Sequence, residues 1–204
     1  MLKLTLTGLM LPLLLLFGSS SDNSAARVKQ KSTDIQTETV EKLIVASGSV
    51  TMEVDLNRLN DAGSATEKSK PEALPFAIAP DSFFTILVTN NVLRGPLPGS
   101  MGLIPQNAAN LPALLNASLH QLVLEKTPSD EAHDLVVRDS KSGFVFFDVA
   151  GHSYDYDAGT RSFSINDGPL LISDEFARRL GRPGEAHAVA GKISVTASMY
   201  PIEI

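Results

Sequence analysis

Residues 144–168 read FVFFDVAGHSYDYDAGTRSFSINDG. Three short runs, 144–149, 153–157 and 161–165, are rich in aromatic and β-branched residues and alternate with turn chemistry. Aromatic and β-branched side chains fit a pleated, half-buried surface, so each run is expected as a strand. The turn signals are DSKSG at 139–143, Asp157-Ala158-Gly159-Thr160, and Asn166-Asp167-Gly168. Asp-Gly is strong hairpin chemistry because glycine accepts positive φ without strain. A helix cannot be written through this stretch, and strands at this spacing point to a sandwich or a barrel.

The same period of two extends outward. In residues 42–56, KLIVASGSVTMEVDL, Val50, Met52, Val54 and Leu56 share one face, and Thr51, Glu53 and Asp55 share the other. Gly48 inside that run marks a bulge or a turn. Residues 74–79, 82–89, 119–126 and 133–138 are further strands, and 192–199 closes the series with Ile193, Val195, Ala197 and Met199 on one face. Residues 60–72 contain no large apolar side chain and read as a solvated loop. Residues 90–112 hold Gly95, Pro96, Pro98, Gly99, Gly102, Pro105 and Pro112. That density argues against a central strand, so a long irregular crossover packed by Leu97, Met101, Leu103 and Ile104 is expected.

One helix is expected from Ser173. Ser173 can cap it, Asp174 and Glu175 sit in the electropositive first turn, and Arg178 and Arg179 sit near the last. Gly181 and Pro183 stop it. Two turns are too few for a helix to stand alone, so Phe176 and Leu180 must pack on the sheet. The expected fold is mainly β: an antiparallel sandwich or distorted barrel with one short C-terminal helix, as a single domain over 42–204.

The N-terminus reads as an address. Lys3 precedes an apolar run of 14 residues, 4–17, interrupted by Pro12. A spanning helix needs about 20 apolar residues. The run fits a secretory signal peptide over 1–26, cut after Ser24-Ala25-Ala26, with Gly18-Ser19-Ser20 as the other small-residue site. A polar leader, 27–41, follows. The chain is therefore expected to be exported to the periplasm, cell surface or medium, with no stable transmembrane span after cleavage. Export without any Cys means stability comes from the core or from bound ions. The absence of Cys also excludes Cys-ligated zinc, iron–sulfur clusters and Cys nucleophiles. The 204-residue chain carries 17 Lys+Arg against 23 Asp+Glu, a formal net charge of −6 without a basic run. Such a surface has little to offer a phosphate backbone, so nucleic acid is not an expected partner.

The segment 170–204, LLISDEFARRLGRPGEAHAVAGKISVTASMYPIEI, resembles a stretch of exported bacterial proteins without an assigned activity. Its most specific parts are LLISDEFARRLGRP and MYPIEI. The resemblance implies export and a bacterial source, and no catalytic residue. The strand-like pattern runs on to Ile204, so the expectation is either a chain cut there or a last strand completed by a partner, including self-association through a sheet edge.

The densest polar cluster is Asp148, His152, Asp155, Asp157 and Asp167. Asp155 and Asp157 share a strand face, and with Asp167 and turn carbonyls they could supply oxygen ligands for Ca²⁺. An EF-hand is excluded, because Thr160 stands where its glycine belongs and Asn166 where its bidentate Glu belongs. The alternative for this segment is a solvated strand running into a polar turn. His152 with Asp155 invites a general base, but neighbouring Ser153 points to the opposite face, and no G-x-S-x-G, H-E-x-x-H, G-x-G-x-x-G or Walker loop occurs. The four histidines, His120, His133, His152 and His187, show no short ligand spacing. Asn116-Ala117-Ser118 matches a glycosylation sequon. The expectation is a non-catalytic module for binding or assembly, with no resident cofactor unless Ca²⁺. The alternatives are a secreted hydrolase centred on His152, and a carrier holding a small apolar ligand among phenylalanines such as Phe83, Phe84, Phe144, Phe146 and Phe147.

Overall fold

A computed structural model describes residues 38–56, 59, 71–107, 121–129 and 133–203. The chain divides into 1–36 and 37–204. The first unit, which carries the expected signal segment and most of the leader, lies outside the described residues. So do Asn116, His120 and most of the polar loop after Leu59.

Among the described residues, the second unit is built from ten strands. They are β1 Val40–Val54, β2 Glu72–Ile78, β3 Phe83–Thr89, β4 Val92–Pro105 and β5 Leu122–Lys126. β6 Leu135–Asp139, β7 Val145–Val149, β8 Tyr154–Asp157, β9 Ser162–Ile172 and β10 Val189–Ile202 follow. One helix, α1 (Asp174–Arg179), and a 3₁₀ turn at Pro183–Glu185 connect β9 to β10.

Eight strands close an antiparallel barrel in the order β10-β1-β2-β4-β5-β6-β7-β9, with β9 pairing back to β10. Of the two expected architectures it is the barrel. β3 and β8 are the two outer strands: β3 pairs with both β1 and β4, and β8 pairs with β9. Closure removes the free edges that an open sheet would present. The terminal strand is no edge. β10 pairs with β1 from Gly191 to Ile202 and with β9 from Val189 to Ser198, so neighbours in the same chain complete it.

An eight-stranded barrel is just wide enough to be filled by side chains. Here the filling includes Val50, Met52 and Val54 of β1, Phe76, Phe84, Phe147, Phe163, and Ile193, Val195, Ala197 and Met199 of β10, all buried in one cluster. The faces assigned from the period of two in β1 and β10 are the buried ones. Each fully buried large apolar side chain contributes about 1.5–3 kcal/mol, so this interior is the main source of stability.

Two expectations fail, each for a local reason. The Pro/Gly-rich crossover is mostly strand: β4 runs 14 residues and pairs with β3, β2 and β5. Pro96 and Pro98 lie before Gly99, where β5 first pairs, so part of one flank of β4 has no ladder to supply. Alternate residues turn their N–H groups to the same flank, and missing donors there cost no ladder bond. Gly99 is required by closeness, since a Cβ there would stand 2.2 Å from the Phe83 carbonyl oxygen. Two residues with positive φ, Asn90 at 51° and Asn91 at 65°, turn β3 into β4. That is the tight hairpin conformation Asn tolerates.

The Asn166-Asp167-Gly168 turn is likewise absent. β9 continues through it, and Asp167, at φ 49°, forms an irregularity against β10, whose register shifts between Ile193 and Val195. Asp-Gly chemistry supplies positive φ to a bulge as readily as to a turn. Gly48 also belongs to a continuous strand, close to the register shift between Val45 and Ser47.

Helix α1 forms as its signals require. The Ser173 side chain accepts from the Phe176 N–H, and its hydroxyl donates to the Val145 carbonyl, tying the cap to the start of β7. Phe176 is fully buried and meets Phe144, Phe146 and Phe147 nearly edge-on. Among the described residues no helix is long and apolar enough to cross a membrane.

Candidate functional site of histidines and aspartates

Two polar groups meet where β5 ends, β6 begins and β8 begins. The first is centred on Asp134, the residue before β6. Lys126 ends β5 on the face of Leu122 and Leu124 and is only 8% exposed. Its Nζ lies 2.6 Å from Asp134 Oδ1 and donates to the Thr127 carbonyl at 2.9 Å. Asp134 Oδ2 accepts a short hydrogen bond from the Tyr154 hydroxyl and lies 3.3 Å from His152 Nε2. Burial would raise the Asp134 pKa, but the Lys126 and Tyr154 bonds outweigh it and hold it below the ordinary carboxylate value. Burial, aided by Asp134, pushes the Tyr154 phenol well up. Burial also pulls His152 below its usual value, against the pull of Asp134. The imidazole is 5% exposed, and its ring sits edge-on to Tyr154 at 4.8 Å.

The second group is His133, Asp148 and His187, whose ligand atoms all lie within 4.8 Å of one another. Asp148 occupies the outward face of β7, between the inward Phe147 and Val149, and its residue exposure is 6%. Val136 is its partner across β6. His133 precedes β6, and its segment is tied down by Thr127, whose hydroxyl donates to the His133 carbonyl and whose N–H donates to the Asp134 carbonyl. His187 lies between the 3₁₀ turn and β10. Its N–H donates to the Ile172 carbonyl at 2.8 Å, and its φ of 62° is a left-handed value that His adopts more readily than most residues.

His133 Nε2 is 3.5 Å from Asp148 Oδ2, and His187 Nδ1 is 3.9 Å from the same oxygen. The other nitrogen of His187, Nε2, faces Asp174 Oδ2 at 3.8 Å. These are ion-pair separations, longer than good hydrogen bonds. Burial raises the Asp148 pKa, with the two histidines pulling it down and Asp174 pushing it up. A carboxylate in this setting has its negative charge only loosely compensated.

The residues singled out from sequence fall in different places. Asp148 and His152 are near each other in sequence but join different groups. His152 has Asp134 as its carboxylate partner, and Asp155 instead accepts from the Tyr156 N–H. Asp157 is committed to its turn, accepting from the Gly159 N–H and the Thr160 hydroxyl. Asp167 lies 2.8 Å from Lys192 Nζ. His133 and His187 carried no sequence signal, because their convergence depends on the β6–β7 register and on the turn entering β10. The signal within reach was positional: each stands at the border of a strand. The chain matches no known protein family, no curated protein and no solved structure.

Proposed function

We propose that this chain is an exported, non-catalytic binding module of the cell envelope or extracellular space. The observation that carries the reading is a contrast in access. In the group built like a catalytic dyad the His152 imidazole is only 5% exposed, while the Asp134 carboxylate, 42% exposed, is taken up by Lys126 and Tyr154. A general base must reach a substrate proton directly or through one water, which a sealed ring cannot do. The open group is a set of ligand donors: the His187 side chain is 53% exposed and that of His133 is 29% exposed. The apolar run at 4–17 and the resemblance of 170–204 support export.

A panel of ester, peptide and glycoside substrates offered to the purified chain tests the non-catalytic part. The expected result is no turnover. Turnover removed by His152→Ala in a folded protein would establish the hydrolase instead. The carrier alternative calls for a molecule lodged among the core phenylalanines, which native mass spectrometry of the purified chain would detect. Calcium at Asp155, Asp157 and Asp167 is a separate proposal. It is supported if millimolar Ca²⁺ raises the melting temperature and Asp155→Asn removes the rise.

A further inference from the structure

We infer that His133, Asp148 and His187 form a binding site for a divalent first-row transition ion, zinc above all, with Asp174 orienting His187. The inference rests on the binding-module reading and names the ligand of its open site. Two imidazoles and one carboxylate, converging from the segment before β6, from β7 and from the turn before β10, are a donor set zinc prefers. Calcium wants six or more oxygens, which this group does not offer. Bonds of about 2.1 Å at a tetrahedral angle place donors about 3.4 Å apart. His133 Nε2 and Asp148 Oδ2 already stand at 3.5 Å, and His187 Nδ1 is 3.9 Å from that oxygen. The widest separation in the group, up to 4.8 Å, must shorten by somewhat more than about 1 Å to close onto an ion, and the most exposed member, His187, has the freedom to rotate.

The second observation concerns the far side of His187. Metal-bound histidines characteristically donate their other ring N–H to a carboxylate, which fixes tautomer and ring orientation. His187 turns Nδ1 to Asp148 and Nε2 to Asp174, at 3.8 Å, in the first turn of α1. With an ion on Nδ1, a small rotation that brings Nε2 to hydrogen-bond distance of Asp174 would hold the proton on Nε2. Three protein ligands leave a fourth position for water or for a group on a partner. The exposure of His187 and His133 puts that position on the solvent side. Asp148, at 6% exposure, is the anchor whose negative charge the ion would balance.

The test is titration of the purified, EDTA-treated full chain with Zn²⁺ by calorimetry, beside Ca²⁺ and beside Co²⁺ followed by visible absorption. The expected result is one zinc per chain with micromolar or tighter affinity. Co²⁺ should give the visible band of a four- or five-coordinate ion, bleached by EDTA, and Ca²⁺ should not compete. His133→Ala and His187→Gly should each weaken zinc binding tenfold or more, and Asp174→Asn by about tenfold. His187→Gly suits the positive φ of that position, so the metal-free variant should melt where the parent does while losing zinc stabilisation. Absence of stoichiometric zinc, or zinc binding unchanged in both histidine variants, overturns the inference. If zinc fails while a molecule found by native mass spectrometry is lost in His187→Gly, the ion falls and the binding module stands. If zinc binds as expected and brings turnover with it, the site stands and the non-catalytic reading falls.

Discussion

Asp134 answers three donors at once, Lys126, Tyr154 and His152, and is the residue on which this end of the barrel turns. The Lys126 ammonium is covered while the Asp134 side chain is 42% exposed, so water screens part of the pair, and removing the carboxylate still leaves a buried cation without its partner. Asp134→Asn leaves the ammonium of Lys126, itself 8% exposed, facing an amide. We expect a loss of about 1–2 kcal/mol for Asp134→Asn, measured by chemical denaturation, and a smaller loss for Lys126→Met. His152 carries a pH signature. Its native pKa is below the ordinary 6.5, chiefly through burial, so the fold holds it neutral. Below about pH 6.5 the unfolded chain takes up a proton that the native state refuses, and stability falls as pH falls. Melting temperatures recorded in EDTA from about pH 8 to 5 should decline toward the acid end, less so in His152→Gln. Equal slopes for the two proteins would contradict a neutral, buried His152.

At the scale of elements, β4 shows how far local chemistry reaches. The density of Pro and Gly in 90–112 points to a crossover only when each residue is weighed as a breaker, independent of what flanks it. The flanks decide. Where β4 lacks a neighbour proline removes nothing, and where β3 comes closest only glycine fits. Gly99→Ala should therefore destabilise by about 1–3 kcal/mol or more, since its Cβ would meet backbone that cannot yield. Gly184→Ala, with open space around it, should be nearly neutral in the same denaturation experiment. Equal costs would mean that β3 and β4 are not packed this closely. The elements that were legible had one-sided patterns: β1 and β10 through their period of two, and α1 through its cap, charges and stop. The Asp-Gly at 167–168 reads as a turn in sequence and is a bulge in the fold, because the two draw on the same backbone conformation. Asp148 is legible in the sequence only as a member of the polar cluster it shares with His152, Asp155, Asp157 and Asp167. His133 and His187 look like ordinary loop residues until three strands and a helix are in place.

For the molecule as a whole, closure is the controlling fact. β10 joins β1 to β9 and completes the ring, so opening it exposes the interior. Its central amides should exchange only through global unfolding. β8, held through β9 alone among the described strand pairings and carrying Asp155 and Asp157, should exchange by local opening at far lower free energy. Hydrogen exchange resolved by residue checks this, and equal protection of the two strands would contradict the barrel. Short, charged edges such as β8 also resist pairing with other chains. Among the described residues, exposed ligand donors converge outside β7, at His133, Asp148 and His187.

Crystals of the full chain grown with zinc, with anomalous diffraction recorded on both sides of the zinc edge, test that claim most directly. One peak per chain is expected, within about 2.3 Å of an imidazole nitrogen of His133, Asp148 Oδ2 and His187 Nδ1, with Asp174 against His187 Nε2. A closed barrel with no peak at those residues, or with the ion held elsewhere, would contradict it.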